Sequence, residues 1–341
     1  MGGPIRPGGS AAESIEVDWY PESRRMRIVS HPMVERPAVM VEWPTVAVAA
    51  AVYAGFALLT LAYHDLPWWL VAPAGGFLVA LHGSLQHEIV HGHPTRWPWL
   101  NRALVFPSLW LWMPHEIYAD THLRHHDDAR ITDPLEDPES YYLTGEAWNR
   151  AGPARRALLR FNNTALGRLL VGPFLCVWNL LAAEARALAA GDTRNVRAWL
   201  LHLLGCLPVL AWVIFVCDIP PAAYLLLFVF PGISLTLLRS YAEHRARPAV
   251  GERMAVVEAG PLMSLLYLNN NLHYVHHNAP SVAWYRLPAR WRANRDAVLE
   301  ANGGYRYSGY WEVIRRHALR SREPVVWPLQ ERVDASALTP H

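Results

Sequence analysis

The chain has 341 residues, enough for one large domain or two small ones, and 52% of them are hydrophobic. Its formal charge of +2 gives no sign of a nucleic-acid partner, and all 31 basic residues are arginine. The three cysteines, Cys176, Cys206 and Cys217, show no C-x-x-C pairing. They offer no iron–sulfur spacing either and are expected to be small apolar packing residues.

A mean hydropathy near zero conceals strong segregation along the chain. Residues 1–39 are polar and carry Pro and Arg, with Gly2–Ala12 expected to be disordered. They contain no cleavable apolar core, so the first apolar helix is expected to act as its own targeting signal. Four uncharged stretches follow, at 44–63, 68–85, 198–217 and 222–238. Each is close to the roughly 20 residues a helix needs to cross a bilayer. Short links, His64–Pro67 and Asp218–Pro221, join them into two hairpins, and neither link contains arginine. The other flanks are arginine-rich: Arg24, Arg25, Arg27 and Arg36 before the first span, Arg96 to Arg160 between the hairpins, and Arg239, Arg245 and Arg247 after the last. The positive-inside rule therefore places both termini and the central region in the cytoplasm. Tryptophans near span ends, such as Trp43, Trp68 and Trp199, suit interfacial belts. Ala103–Met113 is too short to span and is expected to re-enter or lie in the interface. Leu166–Leu181 reads as an amphipathic helix along the membrane surface.

Eight of the 17 histidines fall into three tight clusters: His87 with His91; His122, His125 and His126; and His273, His276 and His277. The last two share the spacing H-x-x-H-H. Positions i, i+3 and i+4 of a helix lie close together, so each cluster is expected to present its imidazoles on one face. That is more ligand than one four-coordinate zinc takes and suits two metal ions, with iron, copper or zinc all served by imidazole. His244 follows the fourth span and should emerge on the same side, giving nine histidines there. His82 and His93 are expected to be structural, as are His31, His64, His115, His202, His317 and His341. Asp127 and Asp128 are candidates for orienting the histidines, because carboxylates often hold the second ring nitrogen of a metal-bound imidazole. Asn269 and Asn270 could hold a metal-bound water or cap a helix.

With these residues in view, the chain resembles the membrane fatty acid desaturase superfamily over about residues 40–290. That superfamily also contains hydroxylases, epoxygenases, acetylenases and carotenoid oxygenases. Its three histidine boxes correspond to His87/His91, His122/His125/His126 and His273/His276/His277, with an extra histidine after the fourth span where His244 stands. The resemblance implies an all-α integral membrane protein, with four transmembrane helices in two hairpins and a cytoplasmic helical domain carrying the boxes. Residues 291–341 would then be a cytoplasmic tail. It implies two non-haem irons held almost wholly by imidazole, with dioxygen as co-substrate and a lipid or acyl substrate. No cytochrome b5 domain is fused, so a separate donor such as a ferredoxin is expected to supply electrons. The expected reaction is fatty acyl or lipid desaturation in a bacterial inner membrane, with hydroxylation of a lipid or terpenoid as the alternative. From another class, His87-Glu88-Ile-Val-His91 matches the H-E-x-x-H signature of zinc metalloproteases, with Glu88 as general base. A protease needs only one further ligand, which leaves the two H-x-x-H-H boxes unexplained. A non-catalytic metal-binding membrane protein is the third reading.

Overall fold

A computed structural model describes residues 39–329. The readings made for Gly2–Ala12, His31, His341 and for Arg24, Arg25, Arg27 and Arg36 concern positions outside these residues. Four helical segments are long and apolar enough to cross a membrane: Trp43–Leu61, Trp68–Val90, Val196–Val216 and Pro221–Glu243. The first two are α1 and α2. Between them and the third run α3 (Pro98–Ala103), α4 (His115–His125), α5 (Gly145–Arg150), α6 (Pro153–Asn162), α7 (Ala165–Leu170) and α8 (Gly172–Ala189). The third segment is α9 (Val196–Ala211) prolonged by a π-helical turn. The fourth joins α10 (Pro221–Tyr224), a second π turn and α11 (Phe230–Glu243). Short helices α12 (Pro261–Leu266) and α13 (His273–His277) precede α14 (Leu287–Ala301) and α15 (Tyr310–His317).

Small residues bring α2 and the fourth segment together. A Cβ on Gly76 would lie 2.7 Å from Pro231, and one on Gly232 would lie 2.5 Å from Val79. Close approach of this kind is how apolar helices associate when both faces are equally oily. The outward faces of α1 and α9 are apolar and uncovered, with Leu58, Leu61, Leu200, Leu203 and Leu207 exposed, as lipid contact requires. α8 likewise exposes Phe174 and Trp178.

Two of the four segments run further than the hydropathy pattern suggested. α2 continues past Leu85 to Val90 and so carries His87, while the fourth segment continues past Leu238 to Glu243. Arg239 is therefore not a flanking cation. It is buried on α11 and ion-paired with Glu243 at 3.0 Å. Non-helical backbone after α3 packs into the bundle: the Ser108 N–H donates to the Gly205 carbonyl, near the middle of the third segment. A Cβ at Gly205 would collide with the Phe106 carbonyl at 2.2 Å. Irregular backbone at such depth is tolerable only where protein buries it.

Residues 291–329, the described part of the C-terminal segment, pack onto the rest of the fold. Strand β1 (Val256–Val257) pairs in parallel with β2 (Arg306–Tyr307). Beyond α15 the chain returns to bond Leu143 on both sides, through Val325 and Trp327. Burial of Val298, Tyr310 and Val313 holds these last elements to the core.

Candidate metal centre

All nine histidines singled out in the sequence meet in the interior, in two groups. His87, His91, His122, His126 and His276 form one, and His125, His244, His273 and His277 form the other. Within each group the candidate ligand nitrogens all lie within 4.8 Å of one another, and every residue is buried. Each H-x-x-H-H box divides between the groups. Successive helical residues turn about 100°, so i and i+4 diverge by about 40° while i+3 falls about 60° to the other side. The i, i+4 pair His122/His126 serves the first group and His125 serves the second. The box on α13 does the reverse: His273/His277 go to the second group and His276 to the first. Imidazoles that share one face of a helix thus serve two groups.

The ends of α2 and α11 complete the groups. His87 lies in the last turn of α2 and His91 immediately follows it. His244 follows α11 directly in an extended conformation. Its carbonyl accepts from the Tyr141 hydroxyl at 2.8 Å and from half-buried Arg322 of the returning C-terminal segment.

A shell of polar groups orients the rings. His125 Nδ1 donates to Asp137 at 2.9 Å, and His122 Nδ1 donates to Glu139 at 2.9 Å. His273 Nδ1 donates to the Asn270 carbonyl at 3.1 Å, with a Glu243 oxygen at 3.2 Å. The Asn270 amide nitrogen lies 3.1 Å from His87 Nε2, so one side chain touches both groups. A proton held on Nδ1 leaves Nε2 as the free donor atom for a metal.

Three of these orienting residues, Asp137, Glu139 and Glu243, escaped the sequence reading. Asp127 is ion-paired with Arg130 at 3.0 Å on the exposed surface, and the side chain of Asp128 is outside the described part. Their intended task falls to Asp137 and Glu139, which a turn starting at Asp133 folds back toward α4. The run Asp133-Pro-Leu-Glu-Asp137-Pro-Glu139 was the available signal. Glu243, directly before His244, was the other. Asn269 bonds the Trp284 carbonyl instead of a histidine. Glu88 accepts from the Trp284 N–H at 3.2 Å, and its other oxygen stands 4.0 Å from His87 Nδ1. His82, His93 and His64 stay outside both groups, bonded to Tyr53, Glu42 and the Cys217 carbonyl.

The electrostatics favour a cation at the centre. Burial and then neighbouring imidazoles hold His126, His273, His276 and His277 well below the ordinary histidine range, in the neutral form that binds metal. Burial also opposes the charge on His125, but the Asp137 and Glu139 carboxylates outweigh it and raise the group to about 9. Without a metal, His125 thus keeps a proton and can donate to His244 Nε2 at 2.9 Å. The bare Nε2 of His273 then faces the same His244 atom at 2.8 Å, lone pair to lone pair. Such a contact is unfavourable unless a cation lies between the rings. Two nitrogens each roughly 2.1 Å from one ion and at right angles would be about 3.0 Å apart. The observed contacts in the two groups run from 2.8 to 3.2 Å. All-imidazole, deeply buried groups of this kind are compatible with non-haem iron.

Comparison with known proteins agrees with this geometry. A family model described as fatty acid desaturase matches residues 66–309, well over half of the chain. No curated protein matches it.

Proposed function

From a chain that belongs to the fatty acid desaturase family, we infer a membrane-bound di-iron enzyme that desaturates a fatty acyl or other lipid chain. The observation that supports this most directly is the division of nine buried histidines into groups of five and four. In this reading His87, His91, His122, His126 and His276 hold one iron, and His125, His244, His273 and His277 hold the other. Iron bound there supplies what side chains lack, the reduction of dioxygen. The substrate gives up two hydrogen atoms, that is two protons and two electrons, and gains a double bond. Two further electrons come from a separate protein donor and two protons from solvent, and dioxygen leaves as two waters.

The chain's own residues have defined tasks. Asp137, Glu139 and Asn270 fix the tautomers of His125, His122 and His273, so that each Nε2 points inward. Burial of every ligand keeps bulk water out, which protects a strong oxidant from side reactions. The arginine-bearing flanks fit a histidine end that faces the cytoplasm, where a soluble reductant can reach it.

Expression in a host of known lipid composition, followed by mass spectrometry of the total lipid extract, tests the assignment. A new double bond that disappears in His276→Ala is the expected result. A new hydroxyl group would replace desaturation by hydroxylation on the same residues. An unchanged lipid profile, with reductant and oxygen present, would refute the enzyme assignment.

A further inference from the structure

Next to the histidine groups, α2, α4, α9 and the link after α3 enclose a half-open pocket of about 30 Å3. Gln86, Ser108, His115 and His202 line it beside Phe106 and Leu201. A chain of hydrogen bonds sets what the pocket offers. Tyr53 has one phenolic proton, and it goes to the Pro107 carbonyl at 2.9 Å. The 3.2 Å contact between Tyr53 and His82 Nε2 therefore needs its proton on the imidazole. His82 is fully buried and no described carboxylate pairs with it, so the ring is neutral and Nδ1 is bare. That nitrogen accepts from the Gln86 amide at 3.4 Å. The orientation of Gln86 follows: its Nε2 is turned to His82 and its Oε1 is left at the pocket. Gln86 Oε1 is buried without a hydrogen-bond partner. So is Nδ1 of His115.

The lining offers no net charge. Arg102 at the rim is ion-paired with Glu116. His115 is neutral, since burial and then Arg102 lower it to about 4. A carboxylate or phosphate would bring only acceptors to the acceptor Oε1 of Gln86. A hydroxyl brings the donor that this oxygen lacks and carries no charge.

We propose that this pocket receives the uncharged hydroxyl head of the lipid substrate, which donates to Gln86 Oε1, while its hydrocarbon lies along Phe106 and Leu201. The proposal rests on the reading of the chain as a lipid oxidoreductase. It narrows the substrate class to neutral lipids bearing a hydroxyl.

The test is binding, measured on the metal-loaded full-length protein by native mass spectrometry with hexadecanol, hexadecanoate and hexadecane. Hexadecanol should bind about tenfold more tightly than hexadecane, the worth of one buried hydrogen bond. Gln86→Leu should erase that preference. Ser108→Val, which fills the pocket from the other wall, should do the same if Gln86→Leu does not fold. Metal content and melting temperature report whether each variant is intact. Equal binding of alcohol and alkane, meaning water alone fills the pocket, would overturn the proposal. So would tighter binding of hexadecanoate, or an alcohol preference that survives both substitutions. Turnover is not read, so a protein that binds the alcohol yet oxidises no lipid would refute the proposed enzyme and not the pocket.

Discussion

Asp137 accepts a hydrogen bond from Nδ1 of His125 at 2.9 Å, and both side chains are buried. The same carboxylate accepts from the Thr132 and Glu139 backbone N–H groups, so it shapes the loop that also delivers Glu139 to His122. Asp137→Asn keeps most of that shape and removes the charge. Iron affinity should fall about 10–100-fold, as is usual when a carboxylate behind a metal-bound imidazole is lost. Iron titration of the purified variant measures this. Wild-type affinity would mean that Asp137 serves the loop alone.

Division of the boxes predicts selective loss. His276→Ala removes a ligand from the five-histidine group and His273→Ala one from the four-histidine group. Each should abolish activity, and each should lower bound iron at one group first. Because the two irons would occupy inequivalent sites, Mössbauer spectra should lose different components in the two variants. His244→Ala should resemble His273→Ala. His64→Ala should be near wild type, since His64 bonds the Cys217 carbonyl between the third and fourth segments. Identical spectra for His276→Ala and His273→Ala would contradict the two-group assignment.

Much of this centre was legible in the chain. The nine histidines are short-range features, set by spacing and by the ends of the apolar stretches, and all nine meet. Their partition was not legible. It depends on how α4 and α13 face each other, a relation between segments about 150 residues apart that no local pattern encodes. The orienting carboxylates were misjudged for a related reason. Asp127 is next to the box in sequence, but at that point the chain has left α4 and points outward to Arg130. Asp137 and Glu139 return only through a turn whose hydrogen bonds involve backbone groups. Apolar residues are sparse between 291 and 329 as well, yet Tyr310 and Val313 are buried in the core.

The metal-free protein should show two opposing pH limbs. His126, His273, His276 and His277 have folded pKa values well below the ordinary 6.5, through burial and then neighbouring imidazoles. Their stability contribution is present above about 6.5 and is lost as the pH falls, because the unfolded chain then binds more protons. His125 behaves in the opposite sense: its folded value is raised to about 9. Its contribution is full below about 6.5 and is lost as the pH rises through about 9. Thermal melts of iron-free protein should therefore fall steeply in acid and more gently between pH 6.5 and 9. Added iron should flatten the alkaline limb, since the metal replaces the His125 proton. A melting temperature that climbs steadily up to pH 9 would remove the charge from His125.

Glu88 separates the family's chemistry from the protease signature that overlies it. In an H-E-x-x-H protease the glutamate must reach metal-bound water as general base, and Glu88→Gln would remove nearly all activity while zinc stayed bound. Here one Glu88 oxygen is occupied by the Trp284 N–H at 3.2 Å, and the other stands 4.0 Å from His87 Nδ1. The carboxylate is tied to the segment that follows α13 and stands close to His87 without a hydrogen bond to it. A glutamine can still accept from the Trp284 N–H, so that tie survives and only the carboxylate near His87 is lost. Glu88→Gln should therefore impair oxidation of lipid by no more than about 10–100-fold, the range for residues that act through a ligand. The loss should appear in kcat with iron content largely kept, and the remaining activity should stay oxygen-dependent. Oxygen-independent peptide hydrolysis that vanishes in Glu88→Gln would reverse the assignment.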